Sequence, residues 1–335
     1  MTFAIMIPTR NRRADLESTC ASLINLRPLP DEVLICVDGC QDNTVEMLRT
    51  RFPQFVVLQN PVTKGSVHSR DQLLRFAKSD IVVSLDDDSC PIAADFLQQL
   101  GCQFSQHPEA AVITFPEQRL GGMFAGRDRT AANCGRYVSA YANCAAAMRR
   151  KPYLAVGGFC GFFEHMYEEP DYALQSYAAG AAVWFEPSLV VEHRESPKAR
   201  DLPRRHQLNA RNELWSVWLR CPWPWVPLVS GYRIARQFSY AFSKGFSWVW
   251  REPFWWFAAF KGIGKCSQQR QAIPWATYYR WMRLPRKPIY SVEQLQREFP
   301  MRRGWAEVVN AQAGRQTPGN ASGVPFGTHP NSSIR

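Results

Sequence analysis

Short apolar runs and helical patterns alternate from the first residues of the chain. Four runs have the length and composition of buried strands, at residues 3–7, 32–37, 55–58 and 81–85. Helical patterns fill the intervals between them, at residues 15–26, 43–51 and 67–77. This order predicts an α/β fold, in which helices cover a mainly parallel sheet. Residues 111–115, 182–185 and 189–191 are expected to add strands, and Ser89 is expected to cap a helix.

The positive charge of the chain is concentrated in its C-terminal third. The 335 residues carry a net charge of +11, and residues 200–287 alone hold sixteen Lys and Arg against three Asp and Glu. The same segment contains ten of the twelve Trp residues. Two interpretations are open: the segment lies on an anionic membrane surface, or its Trp side chains pack against the rest of the chain or a second subunit. Nucleic acid is not expected as a partner, because no known binding module is present.

Composition divides the chain into three parts, which are residues 1–195, 196–309 and 310–335. The last part is rich in Gly, Ser, Asn and Pro and is expected to be disordered. Ten Cys without a CxxC pair, no signal-peptide pattern and no apolar run of about 18 residues indicate a cytoplasmic protein. The basic second part leaves open a peripheral position on the inner face of the cytoplasmic membrane.

Polar residues follow three of the predicted strands, where ligands of a parallel sheet bind. They are Pro8, Thr9 and Arg12 after the first strand, Asp38 after the second, and Asp86, Asp87 and Asp88 after the fourth. A strand-end Asp such as Asp38 also commonly caps the next helix. The three adjacent carboxylates repel one another and have no Lys or Arg beside them in the sequence. A divalent metal ion among them is therefore expected.

Six segments resemble the family 2 glycosyltransferases, which have the GT-A fold. In chain order they read IPTRNR, CVDGCQDNT, KGSVHSRDQLLRFAKSDIVVSLDDD, VGGF, EEPDYALQSYAAG and FEPSLVVEH. The resemblance covers residues 1–195, with a looser match in NARNELW at 209–215. It implies a GT-A catalytic domain in residues 1–195, followed by a C-terminal helical extension.

The resemblance implies a role for each matching position. The nucleotide-sugar donor is expected to contact Pro8, Thr9, Arg12, Asp38, Lys64, Arg70, Asp86 and Asp87. Mg²⁺ or Mn²⁺ is expected to bind Asp86, Asp88 and His193. The segment CVDGCQDNT is one residue shorter than is usual in the family, so UDP-, dTDP- and GDP-sugars all stay open as donors.

The catalytic base is expected in EEPDY, where the family has EDxDL. The aligned residue is Glu169, with Glu168 and Asp171 as alternatives. Pro170 places Glu169 at a helix N-terminus, where the helix dipole favours the ionised carboxylate that a base requires. The other interpretation is that these acids only stabilise the start of the helix.

The resemblance implies an inverting transfer of a sugar from its nucleotide diphosphate to a hydroxyl group. The acceptor is expected to be a saccharide or a lipid-linked molecule, in polysaccharide or glycolipid synthesis. Two other functions fit the same acids: a sugar nucleotidyltransferase and a non-catalytic protein that binds nucleotide sugars. A nucleotidyltransferase normally has a Gly-rich loop after its first strand, and IPTRNRRADL contains no Gly.

Overall fold

A computed structural model of the chain describes residues 1–119, 134–194 and 202–299. The strands are β1 (Phe3–Thr9), β2 (Glu32–Asp38), β3 (Val56–Asn60), β4 (Ile81–Ser84), β5 (Ser89–Pro91), β6 (Ala110–Thr114), β7 (Glu117–Arg119), β8 (Arg136–Tyr137), β9 (Ala146–Arg149), β10 (Ala182–Phe185) and β11 (Val191–His193). The helices of the first two ranges are α1 (Arg13–Leu23), α2 (Thr44–Arg51), α3 (Ser66–Phe76), α4 (Phe96–Gln106), α5 (Arg150–Ala155) and α6 (Glu168–Ala179).

Eight of these strands form one sheet in the order β3-β2-β1-β4-β9-β6-β10-β8. Strands β1 to β4 pair in parallel, as do β6 and β10. Strand β9 lies antiparallel between β4 and β6. Strand β8 lies antiparallel to β10 at the sheet edge. The predicted α/β class with a mainly parallel sheet is therefore confirmed, with β8 and β9 as its antiparallel strands.

The central strands are buried because helices cover both faces of the sheet. All four residues of β4 are buried, as are the four consecutive residues Ala4 to Ile7 of β1. Continuous apolar runs of this kind are typical of strands that are covered on both sides. The sheet consequently aligns the ends of β1, β2 and β4, and the polar residues that follow them lie at one edge.

The predicted helix at Ser89 is wrong, because the backbone there pairs as a strand. Strand β5 lies antiparallel to β11, which in turn pairs in parallel with β7. Helix α4 begins only at Phe96. The Ser89 hydroxyl instead accepts a 2.8 Å hydrogen bond from the backbone N–H of Asp86. This small sheet brings His193 opposite Ser89, next to the three aspartates.

The C-terminal part is helical, as predicted, and packs on the first part. Its helices are α7 (Leu202–Arg220), α8 (Val226–Lys244), α9 (Phe246–Val249), α10 (Glu252–Lys261), α11 (Ile263–Gln268), α12 (Trp275–Arg283) and α13 (Val292–Glu298). The indole N–H of buried Trp281 donates to the carbonyl of Ser139 at 2.9 Å. None of the helices in the described ranges has the length and apolar composition needed to cross a bilayer. The predicted boundary after residue 195 and the predicted disordered tail lie outside the described residues.

A buried ion pair joins α7 to α6. The guanidinium of Arg220 donates to both carboxylate oxygens of Asp171, at 3.1 and 3.0 Å. Ser216 donates to the same carboxylate at 2.7 Å. Asp171 and Arg220 are 0% and 6% exposed, so each charge depends on the other for its compensation.

We expect Arg220→Ala to lower the free energy of unfolding by about 3–5 kcal/mol, because Asp171 is left as an uncompensated buried charge. Chemical denaturation of the full chain measures this, with Arg49→Ala on the exposed face of α2 as the matched control. A loss below about 1 kcal/mol would show that the pair does not hold the two helices together.

Candidate active site

The three aspartates after β4 point in different directions. The side chain of Asp86 is 37% exposed, while those of Asp87 and Asp88 are 6% and 1% exposed. Arg12 donates to Asp87 at 2.9 Å and to Asp88 at 3.1 Å. Arg70, which is buried on α3, forms an ion pair with Asp86.

The structure thus places two arginines among these carboxylates, although no Lys or Arg lies beside them in the sequence. Arg12 follows β1 and Arg70 lies on α3, so both approach the triplet from distant parts of the sequence. Their charges oppose the mutual repulsion of the three carboxylates. Burial nevertheless raises the pKa of Asp87 to about 6, against the opposing charge of Arg12.

His193 supplies a third cationic group. Its Nε2 lies 3.2 Å from Asp88 Oδ1, and its Nδ1 lies 2.7 Å from Oε2 of Glu117. Burial lowers the pKa of His193, but the hydrogen bonds to Asp88 and Glu117 outweigh it and raise the pKa to about 10. The small three-stranded sheet thus places a histidine between two carboxylates at the edge of the triplet.

Three side chains could hold a metal ion together. Ligand atoms of Asp86, Cys144 and His193 all lie within 4.8 Å of one another. The carboxylate of Asp86 suits Mg²⁺ and Mn²⁺ alike, whereas a thiolate favours softer metals such as Zn²⁺. Burial raises the pKa of the Cys144 thiol well above its usual value, which makes Cys144 a poor ligand for Mg²⁺ or Mn²⁺. Asp86 and His193 were predicted as ligands, whereas Cys144 was not. Asp88, also predicted as a ligand, contacts His193 and Arg12, and its role as a ligand stays a prediction.

Asp38 holds the turn between β3 and α3. Its carboxylate accepts hydrogen bonds from the side chains of Asn60 (2.9 Å) and Thr63 (2.8 Å) and from the backbone N–H groups of Lys64 (2.9 Å) and Gly65 (3.0 Å). Burial raises the pKa of Asp38, but these hydrogen bonds outweigh it and the net shift is downward. The base-facing role expected of Asp38 stays a prediction, as does donor binding by the exposed Lys64 side chain.

The end of β1 packs directly against the triplet. The Thr9 hydroxyl donates to Asp87 Oδ2 at 2.9 Å, and half-buried Pro8 precedes it in the strand. Thr9, Arg12 and Asp87 therefore form one hydrogen-bonded group at the strand ends. The structure brings these residues together, and the contacts that each is expected to make with the donor stay predictions.

The loop before α6 has an unusual backbone that other elements hold in place. Glu164, Met166 and Tyr167 have φ values of 62°, 73° and 71°, which are uncommon for residues with a Cβ. The side-chain amide of Asn212 on α7 donates to the carbonyls of Phe163 (2.9 Å), His165 (2.8 Å) and Met166 (2.8 Å). Sequence reasoning saw only a loose family likeness around Asn212 and no role for it.

The β3–α3 turn approaches the same loop from the other side. Gly65 has φ 94°, and a Cβ there would collide with the carbonyl of Glu164. The Ser66 hydroxyl lies 2.7 Å from Nδ1 of His165. The loop is thus held between α7 and the turn that Asp38 organises.

Glu168 and Glu169 begin α6 beyond this loop. Glu168 is buried and accepts a 2.9 Å hydrogen bond from Asn143, while its second oxygen is buried without a hydrogen-bond partner among the described residues. Glu169 is half-buried. Burial, followed by the charge of Glu168, raises the pKa of Glu169 to about 8. Desolvation and the charge of Glu168 therefore oppose the ionising effect expected of the helix N-terminus.

Asp171 does not belong to this acidic pair. Its carboxylate is fully occupied by Arg220, Ser216 and Gln175, on the face of α6 that packs against α7. The structure therefore removes Asp171 from the candidates for the catalytic base.

Arg70 connects the two acidic groups. It pairs with Asp86, and the charges of Asp86, Glu168 and Glu169, in that order of size, oppose the burial that lowers its pKa. The triplet and the glutamates consequently form one site, and Glu168 and Glu169 lie near the predicted metal ligands. A separate cavity of about 550 Å³, bordered by Ser22, Cys90 and Glu192, contains none of the predicted site residues.

The sequence and the fold both resemble proteins that transfer sugars. The sequence model of glycosyl transferase family 2 matches residues 4–169. An uncharacterized glycosyltransferase of Haemophilus influenzae is 31% identical over 87 residues, which cover 26% of this chain and 29% of that protein. The aligned part is thus less than a third of that relative.

Two solved structures share the fold at low identity. GalNAc-T7 with UDP, GalNAc and Mn²⁺ has a TM-score of 0.54 at 14% identity, covering 65% of this chain and 48% of its own. A mannosyltransferase of Pyrobaculum calidifontis with GDP-Man and Mn²⁺ has a TM-score of 0.53 at 15% identity, covering 93% and 84%. These likenesses confirm the predicted GT-A fold.

Replacing Glu169 by Gln tests the electrostatics of the acidic pair without an activity assay. Because the folded pKa of Glu169 is raised from 4.5 to about 8, the wild-type protein loses stability as the pH rises through that interval. We expect Glu169→Gln to melt at a higher temperature than wild type at about pH 9 and at the same temperature near pH 5. Glu46→Gln on the exposed face of α2 is the control and should show no such trend; an equal trend in both variants would contradict the assignment.

Proposed function

This chain belongs to glycosyltransferase family 2, and from that premise we propose that it transfers a sugar from a nucleotide diphosphate to an acceptor hydroxyl. The observation that carries the proposal is the single site formed by Asp86 to Asp88 and by Glu168 and Glu169, joined through Arg70. A site of this kind combines groups for an anionic donor with a carboxylate for proton removal.

The donor is proposed to bind at the ends of β1 and β4. Arg12 and Arg70 provide fixed positive charge for a diphosphate, and the exposed Lys64 side chain lies on the turn held by Asp38. The structural relatives were solved with UDP or GDP-Man. These ligands support a UDP- or GDP-sugar here, and a dTDP-sugar fits the same charges.

A divalent cation is proposed at Asp86, Asp88 and His193, beside the thiol of Cys144. The clustering of these ligand atoms supports this assignment, and Mn²⁺ is present in both structural relatives. When bound, such a cation neutralises charge that develops on the leaving diphosphate. A cation bound by His193 Nε2 would replace the present contact of that nitrogen with Asp88, because a ring nitrogen that donates to a carboxylate cannot also bind a metal. The contact of Nδ1 with Glu117 would keep the ring oriented.

Glu169 is proposed as the base that removes the acceptor proton. Burial and the adjacent charge of Glu168 raise the pKa of Glu169. The hydrogen bond from Asn143 holds the Glu168 carboxylate in place. A carboxylate with a pKa near 8 accepts a proton more readily than an ordinary one and is still partly ionised at neutral pH. Direct attack by the activated hydroxyl on the anomeric carbon would invert its configuration.

The acceptor is proposed to be a saccharide or a lipid-linked molecule in polysaccharide or glycolipid synthesis. The half-buried position of Glu169 supports this in part, since an acceptor hydroxyl must reach it from the surface. The family and the position of the acids are compatible with both kinds of acceptor.

We expect Glu169→Gln to lower the turnover number by about 10²–10⁴-fold, because the amide cannot accept the acceptor proton. Steady-state transfer with a panel of nucleotide sugars measures turnover, and calorimetry with UDP and GDP checks that nucleotide affinity is retained. Glu46→Gln is the matched control. Wild-type turnover in Glu169→Gln would overturn the assignment, and formation of nucleotide sugar from a sugar phosphate would show a nucleotidyltransferase instead.

Asp86→Asn tests the proposed cation site. We expect Mn²⁺ to strengthen UDP or GDP binding to wild type and to do so at least about tenfold less in the variant, because a charged ligand is lost. Calorimetric titrations with and without Mn²⁺ measure the difference. Asp95→Asn, an exposed carboxylate before α4, is the control, and an unchanged Mn²⁺ effect in Asp86→Asn would remove this residue from the site.

A further inference from the structure

The end of α8, α9 and α10 expose six large aromatic side chains. This aromatic ridge consists of Phe242, Phe246, Trp250, Phe254, Phe257 and Phe260. Their exposed fractions run from 56% for Phe260 to 80% for Phe246. Single exposed apolar residues are ordinary, but a dense group of this size marks an interaction surface.

Helix α10 shows how the ridge is separated from the core. Trp255 and Ala259, one turn apart, are buried, and the indole N–H of Trp255 donates to Glu252 at 2.8 Å. Phe254, Phe257 and Phe260 recur at intervals of three residues on the opposite, exposed face. The inward face packs against the core, whereas most of the surface of the outward phenylalanines is exposed; among them, the ring of Phe260 lies 6.0 Å from that of Trp218.

Positive charge surrounds the ridge and no exposed negative charge lies within it. Lys244, Arg251, Lys261 and Lys265 are all exposed, and no carboxylate of the described residues forms an ion pair with them. The only acidic residue between 226 and 270 is Glu252, which is 1% exposed and pairs with His206 at 2.8 Å. The surface therefore combines apolar rings with cations alone.

We propose that the aromatic ridge docks on the surface of a lipid leaflet that contains anionic lipids. Phe and Trp side chains partition into the boundary between headgroups and acyl chains, and Lys and Arg bind anionic headgroups. A second copy of this chain would place like charges against each other, which disfavours a symmetric dimer through this face. A nucleic acid would satisfy the cations but leave the six rings, five of them Phe, without an apolar environment. The helices lie on the leaflet, since none of those described can cross it.

The ridge is connected to the candidate active site through the first turns of α7. His206 contacts Glu252, and its ring lies 5.5 Å from that of Trp248 in α9. The neighbouring Arg205 lies close enough to His165 for its charge to act on that ring. The ridge and the loop before α6 are therefore linked through the same turns of α7. The docking itself does not require that the protein transfers sugars.

Vesicle sedimentation of the full chain tests the proposal. The probes are vesicles of phosphatidylcholine alone and vesicles with about one part phosphatidylglycerol to three parts phosphatidylcholine. We expect wild type to sediment with the anionic vesicles at about 0.1 M NaCl and much less at about 0.5 M NaCl. The double variant Phe246→Ser with Phe257→Ser should bind at least about tenfold more weakly, and so should Lys244→Ala with Lys261→Ala.

The matched control is Leu29→Ser with Phe76→Ser, two exposed apolar residues of the first part of the chain, 58% and 47% exposed. This control should bind vesicles as wild type does. The proposal is overturned if wild type fails to sediment with anionic vesicles, or if the control loses as much binding as the ridge variant. It is also overturned if the ridge variant changes only self-association in sedimentation velocity, or only binding to a single-stranded oligonucleotide. A parallel titration with UDP and GDP, without vesicles, measures nucleotide binding separately. A failure of docking can therefore be distinguished from a failure of the proposed transferase function.

Discussion

Charge compensation around Asp86, Asp87 and Asp88 is the constraint on which the rest of the site depends. Two of these carboxylates are buried, and buried charges persist only when they are paired and hydrogen-bonded. Their partners come from three separate elements: Arg12 after β1, Arg70 on α3 and His193 on β11. Satisfying the triplet therefore fixes these elements relative to β4 at the same time. The site proposed for the donor is formed by that arrangement.

The C-terminal helices hold α6 and the loop before it in place through residues of α7. Asn212 holds the carbonyls of the loop before α6, and Arg220 compensates Asp171 within α6 itself. Glu213, buried on α7, binds Tyr167 at the start of α6 and Arg236 of α8. Helices that carry the exposed aromatic ridge are thus linked through α7 to the residues that precede Glu168. This gives a structural reason for the position of the basic, Trp-rich segment beside a family 2 domain.

Much of the fold was predictable because its strands and helices follow from patterns of residues close together in the sequence. The strands at the ends of which the site forms, β1, β2 and β4, are continuous apolar runs, and their observed bounds differ from the predicted ones by at most two residues. Strand β9 was missed, since Ala146–Arg149 carries no β-branched residue and its strand character comes from pairing with two neighbours. The helix expected at Ser89 failed for a similar reason, because partners distant in sequence offered that backbone a sheet.

The sequence by itself determined the class of fold, the family and the set of acids, because strand periodicity and linked motifs depend on residues close along the chain. Only the tertiary structure decided the burial, the charge partners and the proton affinity of each acid. It placed Arg12, Arg70 and His193 among the aspartates, joined Cys144 to the metal candidates, and engaged Asp171 with Arg220. The proton affinity of Glu169 likewise follows from burial beside Glu168, not from its place at a helix start. Electrostatic interactions act through space and desolvation depends on neighbours from every element, so no local pattern contains them.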